Sequence, residues 1–228
     1  MSGKLIFEVG GGYNKIRGKS AHLKIENITS TLVDIYNKSR HTFVFENMFT
    51  FFGKKKEGRE LSNFYKERVT VDGRHYSSGE HAFHGSKYIE ISKVLDGKRK
   101  LEFEEYGKKF EEEGEFGMME GNEVKKRGGK GKLGKKLNEE EIGIWTKRSV
   151  EVQKKICMFK LENDENVKKV LLGTNSKILI HPAMRCSEEK VKDKFWEGKG
   201  IVKENGEIVV LGRNMLGSIW MEVRTSIL

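Results

Sequence analysis

The chain has 228 residues and a net charge of +10 at pH 7, with 36% hydrophobic, 34% charged and 10% aromatic residues. This length allows one domain of ordinary size, or a domain with an appendage, and it is sufficient to bury a sizeable core. The aromatic content excludes a disordered polyelectrolyte, and the positive charge favours polyanionic partners such as nucleic acid, nucleotide phosphates or an anionic membrane surface.

The N-terminal residues and the cysteines indicate the cellular compartment. The opening MSGKLIFEV lacks the apolar core and cleavage site of a secretory signal, and no apolar run has the length of a membrane span. Two lone cysteines, Cys157 and Cys186, fit a reducing compartment and disfavour a disulfide framework. We therefore expect the protein in the cytosol or the nucleus, without a membrane partner.

The first 45 residues predict a small segment rich in β-strand. Its candidate strands are Leu5–Val9, His22–Glu26 and Thr42–Phe45. We interpret residues 1–45 as an appendage or an extra sheet edge, and residues 46–228 as the main domain.

The centre of the chain predicts a hairpin followed at once by a helix. Asp72-Gly73 between the extended runs Arg68–Thr70 and Arg74–Tyr76 is a strong hairpin signal. Ser77-Ser78-Gly79-Glu80 then fits a capping box, in which a serine hydroxyl accepts an amide proton and the glutamate reaches back to the amide of the cap residue.

The predicted helix carries ionisable side chains on its inward face. At 100° per residue, Glu80, His84 and Lys87 fall within about 60° of one another, on the face that most apolar side chains of the helix share. Perturbed ionisable groups of this kind gather at functional sites. In the structural alternative, Glu80 only caps the helix and Lys87 only closes an ion pair at its edge, and the pattern alone does not separate the two interpretations.

Two oppositely charged runs follow this helix. Seven acidic residues lie between Glu102 and Glu115, and seven basic residues lie between Lys125 and Lys136. Gly129–Gly134 matches the pattern GxGxxG, but no strand precedes it and no amphipathic helix follows at once, which argues against a dinucleotide site. We interpret the basic run as a solvated, flexible loop that can approach phosphates without reading bases.

The second half predicts helices, a buried strand and a second hairpin. The apolar spacing indicates helices over Glu139–Leu161 and Glu165–Leu172, a strand over Ile178–Ile180, and strands over Ile201–Lys203 and Ile208–Leu211 around the turn Asn205-Gly206. Asn214 is placed to cap a last helix.

Motifs for metal binding and for a cysteine nucleophile are weak. His81 and His84 are three residues apart, but HExxH, CxxC and Asp-rich patterns are absent, so no metal site is predicted. Cys157 lies inside an apolar helical pattern, where packing is the commoner role.

The remaining ionisable residues suit cleavage of a glycosidic bond. Glu80 and Lys87 lie on the central helix, and Asp193 and Trp196 lie in the second half. Carboxylates with an aromatic wall suit a reaction in which a leaving group is protonated and positive charge builds at the anomeric carbon. A lysine kept neutral by burial could instead attack that carbon as an amine. For Trp196, core packing and stacking on a ligand both stay open.

Several blocks of the sequence resemble the NADAR family, which is named for its association with NAD and ADP-ribose and includes the YbiA-like N-glycosidases. The blocks follow the family's order over about residues 49–227: Leu61-Ser62-Asn63-Phe64, Asp72-Gly73, Ser78-Gly79-Glu80-His81 with Lys87, Val170–Thr174, Asp193 with Trp196, Gly212–Gly217 and Met221–Arg224. Two positions depart from the family pattern, because His181 stands where a glutamate is common and Glu197 where a glycine is usual.

The resemblance implies an α+β fold that is mainly helical, with small antiparallel strands and hairpins. It also implies hydrolysis of an N-ribosidic bond to an exocyclic amino group, without metal or cofactor. The substrate implied first is guanine that carries ADP-ribose in DNA or RNA, and the alternative is a phosphoribosylamino-pyrimidine intermediate of riboflavin synthesis. A module that binds ADP-ribose or nucleic acid without turnover is the competing class.

The resemblance assigns roles to individual residues. Glu80, Lys87 and Asp193 are the expected catalytic residues, with Glu80 handling protons or orienting water and Lys87 stabilising or covalently capturing the opened ribose carbon. The expected substrate-binding residues are Ser62, Asn63, Phe64, His81, His84, Trp196, Arg213, Asn214 and Gly217. The members of this set expected to position the ribose and phosphates are Asn63, Trp196, Arg213 and Asn214.

Overall fold

The structure is a computed structural model that describes residues 5–8, 48–53, 57–129, 131–202 and 208–227. The described residues divide into two compact units. The helical unit lies within residues 53–170, and the mixed unit lies within residues 1–52 and 171–228. Among the described residues, no helix combines the length and the apolar character needed to cross a bilayer.

The described strands are short, and most of the helices follow one another in the middle of the chain. The strands are β1 (Leu5–Glu8), β2 (Met48–Thr50), β3 (Val69–Val71), β4 (Arg74–Tyr76), β5 (Ile178–Ile180), β6 (Lys199–Val202) and β7 (Ile208–Leu211). The helices are α1 (Gly79–Ser92), α2 (Gly97–Lys108), α3 (Gly121–Gly128), α4 (Glu139–Asn163), α5 (Glu165–Gly173), α6 (Glu188–Lys192) and α7 (Met215–Thr225), with a short 3-10 helix at Arg59–Leu61.

The hairpin β3–β4 leads the chain of the helical unit into α1. The two strands are antiparallel, with Val69 opposite Tyr76. Asp72 and Gly73 have φ values of 49° and 78°, the positive pair that a type I′ turn requires. The predicted hairpin is confirmed, and it places the start of α1 directly after a fixed turn.

Helix α1 is the centre of the helical unit and is buried on nearly all sides. Ala82 and Ser86, on the side opposite the predicted inward face, are buried like Tyr88 and Ile91. This side is also covered because both α2 and α4 pack against α1, and only its end at Lys93 is exposed. The ionisable groups of α1 therefore lie in a helix enclosed by protein.

Residues 97–136, which include the two charged runs, contain helices α2 and α3. The buried side chains Phe103, Phe110 and Val124 hold this segment against the core of the helical unit. Side chains of the acidic run pair with side chains of the basic run, as in the 3.1 Å ion pair between Lys135 and Glu102. The prediction of a flexible loop was wrong for α3 because one buried valine among lysines fixes the helix that carries the first part of the basic run.

The described residues of the mixed unit form two small sheets. β7 pairs with β6 in antiparallel and with β1 in parallel orientation, and β2 pairs with β5 in parallel orientation. The β6–β7 pairing confirms the second predicted hairpin, whose turn at Asn205-Gly206 lies outside the described residues. The parallel pairings are additions to the predicted antiparallel ones, and the fold is α+β and mainly helical as predicted.

Strand β1 is the described part of the predicted N-terminal segment. Leu5 lies opposite Ile208, so β1 forms an edge of the sheet that contains β7. The candidate strands His22–Glu26 and Thr42–Phe45 lie outside the described residues. The division at residue 45 stays a prediction.

Candidate active site

The start of α1 places three ionisable side chains on one buried stripe. Ser78 caps the helix, because its hydroxyl accepts the amide proton of His81 at 3.4 Å. Glu80, His84 and Lys87 follow at intervals of about one turn, and they are 7%, 8% and 6% exposed. The stripe expected from the helical spacing is present, and it lies inside the helical unit.

The predicted capping box is wrong. Because Ser78 is the cap residue, the third residue of the helix is His81, and Glu80 is one position too early to reach back to the cap amide. The Glu80 carboxylate accepts a hydrogen bond from His84 instead. Capping therefore does not account for Glu80.

Glu80 and His84 form a buried hydrogen-bonded pair, with 3.2 Å between Oε1 and Nε2. Burial is the main cause that lowers the pKa of His84, and the Glu80 carboxylate opposes it by favouring the imidazolium. We conclude that His84 is neutral at neutral pH and that its Nε2 carries the proton it donates to Glu80. About 10% of each side chain remains exposed.

Packing holds the His84 ring in one orientation. Its Nδ1 is buried and has no hydrogen-bond partner among the described residues. Phe83 contacts the ring edge-on, with 5.6 Å between centroids. A Cβ on Gly128 would overlap the ring, so a glycine is needed for α3 to approach this closely. The ring therefore has little freedom to turn away from Glu80.

Lys87 reaches the end of α3. Its ammonium donates a hydrogen bond to the Gly128 carbonyl and lies 4.5 Å from the centroid of the Tyr88 ring. The last carbonyls of a helix carry partial negative charge, and an aromatic face attracts cations. Both contacts stabilise a positive charge on Lys87, and its expected role, stabilising or covalently capturing the ribose carbon, stays a prediction.

His81 uses both of its ring nitrogens within the helical unit. Its Nε2 lies 3.0 Å from the Phe116 carbonyl oxygen, so this nitrogen carries the proton, and its Nδ1 accepts from the Ser78 hydroxyl at 2.8 Å. Burial lowers the pKa of His81, and the hydrogen bond to the Phe116 carbonyl opposes this. His81 thus fixes the start of α1 through both ring nitrogens. The expected contact of His81 with substrate stays a prediction.

Asn63 fixes the main chain of Glu80. The Asn63 carbonyl accepts the Glu80 amide proton at 2.8 Å. The side-chain amides of Asn63 and Gln153 exchange two hydrogen bonds, of 2.9 and 3.0 Å. This pairing occupies part of the donor and acceptor capacity of Asn63. Asn63 is thus a support for Glu80, and its direct role in substrate binding stays a prediction.

Gln153 was missed in the sequence, although a signal for it exists. Ser149, Gln153, Cys157 and Lys160 recur every three or four residues along α4, and all are buried. A polar stripe inside an apolar helical pattern indicates a face that packs against polar groups. Burial raises the pKa of the Cys157 thiol to about 12, which agrees with its predicted packing role.

Ser62 and Phe64 flank Asn63 in the helical unit. The buried Ser62 hydroxyl accepts the Phe64 amide proton at 3.2 Å. The half-buried Phe64 ring lies against Gly121 at the start of α3, and the Lys125 ammonium is 5.9 Å from the ring centroid. A ring beside an exposed lysine suits stacking of a nucleobase near a phosphate. The expected substrate-binding role of Phe64 stays a prediction.

The mixed unit joins the remaining predicted site residues through its main chain. The amides that begin α7 donate to the carbonyls of residues 194–197, with distances from 2.9 to 3.4 Å: Arg213 to Lys194, Asn214 to Glu197, Met215 to Phe195 and Leu216 to Trp196. These bonds satisfy amides that a helix start leaves without intrahelical partners. Asp193 is exposed, and the half-buried Trp196 ring stands edge-on to Phe195 with 5.0 Å between centroids. The catalytic role of Asp193 and the binding roles of Trp196 and Arg213 stay predictions.

Asn214 holds strand β5 and does not cap α7 with its side chain. It occupies the cap position with a φ of 45°, but its Oδ1 accepts the His181 amide proton at 2.9 Å and its Nδ2 donates to the Leu179 carbonyl at 2.8 Å. The predicted side-chain cap is therefore wrong. A Cβ on Gly217 would overlap the Leu179 carbonyl oxygen, so Gly217 serves the close approach of α7 to β5. Contacts of Asn214 and Gly217 with substrate stay predictions.

In the described parts of the chain, no group of three or more His, Cys, Asp or Glu side chains is arranged to hold a metal ion.

The family comparison agrees with the resemblance seen in the sequence. The family model described as "NADAR domain" matches residues 50–228 of this chain. The chain is similar to the NMR structure of the E. coli protein YbiA, with 20% sequence identity, a TM-score of 0.49, and coverage of 81% of this chain and 86% of that chain. No curated protein matches the chain. Because the family match extends over well more than half of the sequence, the chain belongs to the NADAR family.

Proposed function

We propose that the protein is an N-glycosidase that removes ADP-ribose from the exocyclic amino group of guanine in nucleic acid. The observation that carries the proposal is the buried stripe of Glu80, His84 and Lys87 on α1. A carboxylate with a fixed orientation beside a neutral donor suits the proton transfer that hydrolysis of a glycosidic bond requires. Membership of the NADAR family supports this reaction class.

The proposed reaction exchanges one bond at the ribose C1′ atom. The bond between C1′ and the exocyclic nitrogen breaks, and a bond between C1′ and a water oxygen forms. Glu80 accepts a proton from the attacking water, and the departing nitrogen takes up that proton. The products are ADP-ribose and unmodified guanine. The carboxylate also stabilises the positive charge that builds at C1′ during the reaction.

His84 and Lys87 support Glu80 in different ways. His84 donates to Oε1 of Glu80, which leaves Oε2 to meet the reactants. Because His84 is neutral, it orients the carboxylate without cancelling its charge. Lys87 supplies a positive charge further along the same stripe, held by the Gly128 carbonyl, and this charge suits a phosphate or the electrons that move onto the departing base.

The choice of nucleic acid over a small substrate rests on charge. The chain carries a net charge of +10. Exposed lysines lie on α3 and just after it, and α3 is the helix that contacts both His84 and Lys87: Lys125, Lys126, Lys132 and Lys136. Neutralisation of phosphates by such lysines favours a polymer over a single nucleotide.

Substitution of Glu80 tests the reaction. Mass spectrometry follows an oligonucleotide that carries ADP-ribose on a guanine amino group, incubated with wild-type protein, Glu80→Gln or Glu90→Gln. Glu80→Gln keeps size and hydrogen bonding, so it should leave the fold intact and reduce the release of ADP-ribose by about 10²- to 10⁴-fold. Glu90→Gln is the matched control, because it makes the same change on α1 at the ion pair with Lys93, and it should be close to wild type.

Each outcome of this assay points to one conclusion. Release at the wild-type rate by Glu80→Gln would exclude Glu80 as the proton carrier. If the wild type leaves the oligonucleotide unchanged but cleaves phosphoribosylamino-pyrimidines, the reaction stands and the substrate is wrong. If neither substrate is cleaved and calorimetry detects tight ADP-ribose binding, the protein is a binding module.

A further inference from the structure

Lys160 is a fully buried charged residue that the proposed reaction does not use. It lies on α4 and is 0% exposed. Its ammonium donates to the Glu60 carbonyl at 2.7 Å and to the Ser62 carbonyl at 2.9 Å, and it lies 5.5 Å from the centroid of the Tyr65 ring. A lysine is almost never fully buried unless it is paired, because removing its charge from water is costly. This position therefore needs an explanation.

The surroundings of Lys160 keep it charged at neutral pH. Burial lowers its pKa to about 8, and four groups oppose this, namely Cys157 on α4, Asp164 between α4 and α5, Glu67, and Glu60 in the 3-10 helix. Below pH 8 the ammonium therefore predominates. Hydrogen bonds from a charged donor are roughly twice as strong as those between neutral groups.

The two carbonyls that Lys160 holds, those of Glu60 and Ser62, lie three residues and one residue before Asn63. The Asn63 carbonyl holds the amide of Glu80, and its side chain pairs with Gln153, two turns before Lys160 on α4. Helix α4 thus contacts residues 60–63 at two points. Gln153 pairs with the side chain of Asn63, and Lys160 donates to the main chain of Ser62.

We propose that Lys160 is a positioning residue that sets the location of Glu80 through the main chain of residues 60–63. The role of Glu80 in this statement rests on the proposed function. Lys160 does not touch the reactants. It fixes the carbonyls of Glu60 and Ser62, so that the adjoining Asn63 carbonyl holds the first turn of α1 in place.

Substitution of Lys160 by methionine tests the mechanical part of the proposal without any substrate. Lys160→Met keeps the length of the side chain but removes all three donors. Hydrogen exchange measured by NMR should show the Glu80 amide exchanging at least about tenfold faster, because its acceptor on Asn63 is no longer fixed. Lys154→Met makes the same change at an exposed position of α4 and should leave this rate unchanged. Unchanged exchange at Glu80 in folded Lys160→Met would overturn the proposal.

A double-mutant cycle tests the catalytic part. If Lys160 acts through Glu80, Lys160→Met should lower kcat about tenfold in the wild-type background with little change in KM, and have almost no further effect in a Glu80→Gln background. Effects that multiply in the double variant would show a general structural role and refute the positioning role. The exchange measurement is independent of turnover, so an inactive wild type would remove the proposed function and leave the link between Lys160 and Glu80 to be decided by exchange.

The wild-type protein provides a test if Lys160→Met does not fold. In an NMR titration, the Glu80 amide shift should change with the same midpoint as the Lys160 side-chain carbon, because loss of the ammonium weakens both main-chain contacts. A Glu80 amide shift that does not change as Lys160 loses its proton would contradict the proposal.

Discussion

Contacts from three separate parts of the helical unit converge on Glu80. Asn63 holds its amide, His84 on α1 holds its carboxylate, and Gly128 on α3 permits the ring of His84 to lie where it does. A group fixed in this way need not reorganise when charge develops in the transition state. The orientation of Glu80 therefore depends on neighbouring residues that do not contact the substrate in the proposed reaction.

Gly128→Ala should disturb this arrangement more than its size suggests. The added Cβ would overlap the His84 ring, so either the ring turns away from Glu80 or the last turn of α3 moves and withdraws the carbonyl that holds Lys87. We expect loss of stability by about 1–3 kcal/mol, as for other overpacked sites, and a fall in kcat that exceeds the change in KM. Thermal unfolding and steady-state kinetics measure the two effects.

Gly143→Ala is the matched control for this change. Gly143 lies inside α4, and a Cβ there would meet nothing within 4 Å. Alanine should therefore stabilise the helix by roughly 0.5–1 kcal/mol and leave kcat unaltered. If Gly128→Ala behaved like Gly143→Ala, the close packing of α3 on His84 would not matter for the site.

At the scale of elements, one side chain connects α7 with β5. Asn214 bonds the main chain on both sides of Ile180, and it is fully buried. Asn214→Ala leaves the His181 amide and the Leu179 carbonyl without this partner, and an unsatisfied buried group costs about 1–3 kcal/mol. We expect a fall of this size in the free energy of unfolding, measured by urea denaturation.

The control for Asn214→Ala is the same substitution at Asn166, whose side chain makes no hydrogen bond among the described contacts. Asn166 is exposed in the first turn of α5, and its main-chain amide bonds to Asp164. Asn166→Ala should change the free energy of unfolding by less than about 0.5 kcal/mol. Equal effects of the two substitutions would show that Asn214 is not the connection between α7 and β5.

Elements with strong local signals were predictable from the sequence. The turn Asp72-Gly73 and the apolar spacing of α4 carry their own information, and both are found where they were predicted. Helices α2 and α3 were missed because their charged residues dominate the pattern, and only the packing of Phe103 and Val124 against distant parts of the chain makes them ordered.

The candidate site shows the same division between local and distant information. The stripe on α1 followed from spacing along a single helix. The partners of that stripe did not, because Asn63 and Gln153 are 90 residues apart and Ser62 and Lys160 are 98 residues apart. Without knowledge of which segments pack together, the residues that pair with the polar stripe on α4 cannot be identified from the sequence.

At the scale of the whole molecule, positive charge is the property most relevant to the substrate. Many lysines and arginines pair with acidic side chains, as Arg99 does with Glu141. Lys125, Lys126 and Lys132 are exposed on or near α3. A net charge of +10 adds a long-range attraction for polyanions, which salt screens.

The dependence of KM on salt should therefore separate a polymer substrate from a small one. For a single strand, the logarithm of affinity falls with the logarithm of salt concentration by about 0.7 for each phosphate contacted. Under the proposed function, KM for an oligonucleotide carrying ADP-ribosyl-guanine should rise steeply with salt. Replacement of Lys125, Lys126 and Lys132 by glutamine should reduce the slope by up to about 2.

Two controls make this result specific to α3. Replacement of Lys98, Lys100 and Lys108 by glutamine removes the same charge from exposed positions of α2, so an equal fall in slope would show that net charge alone attracts the strand. ADP-ribosyl-guanosine offers only its own two phosphates, and its KM should depend weakly on salt. If the oligonucleotide and the nucleoside had the same salt dependence, the strand would contribute no contacts, and the reaction on α1 would belong to a small-molecule hydrolase.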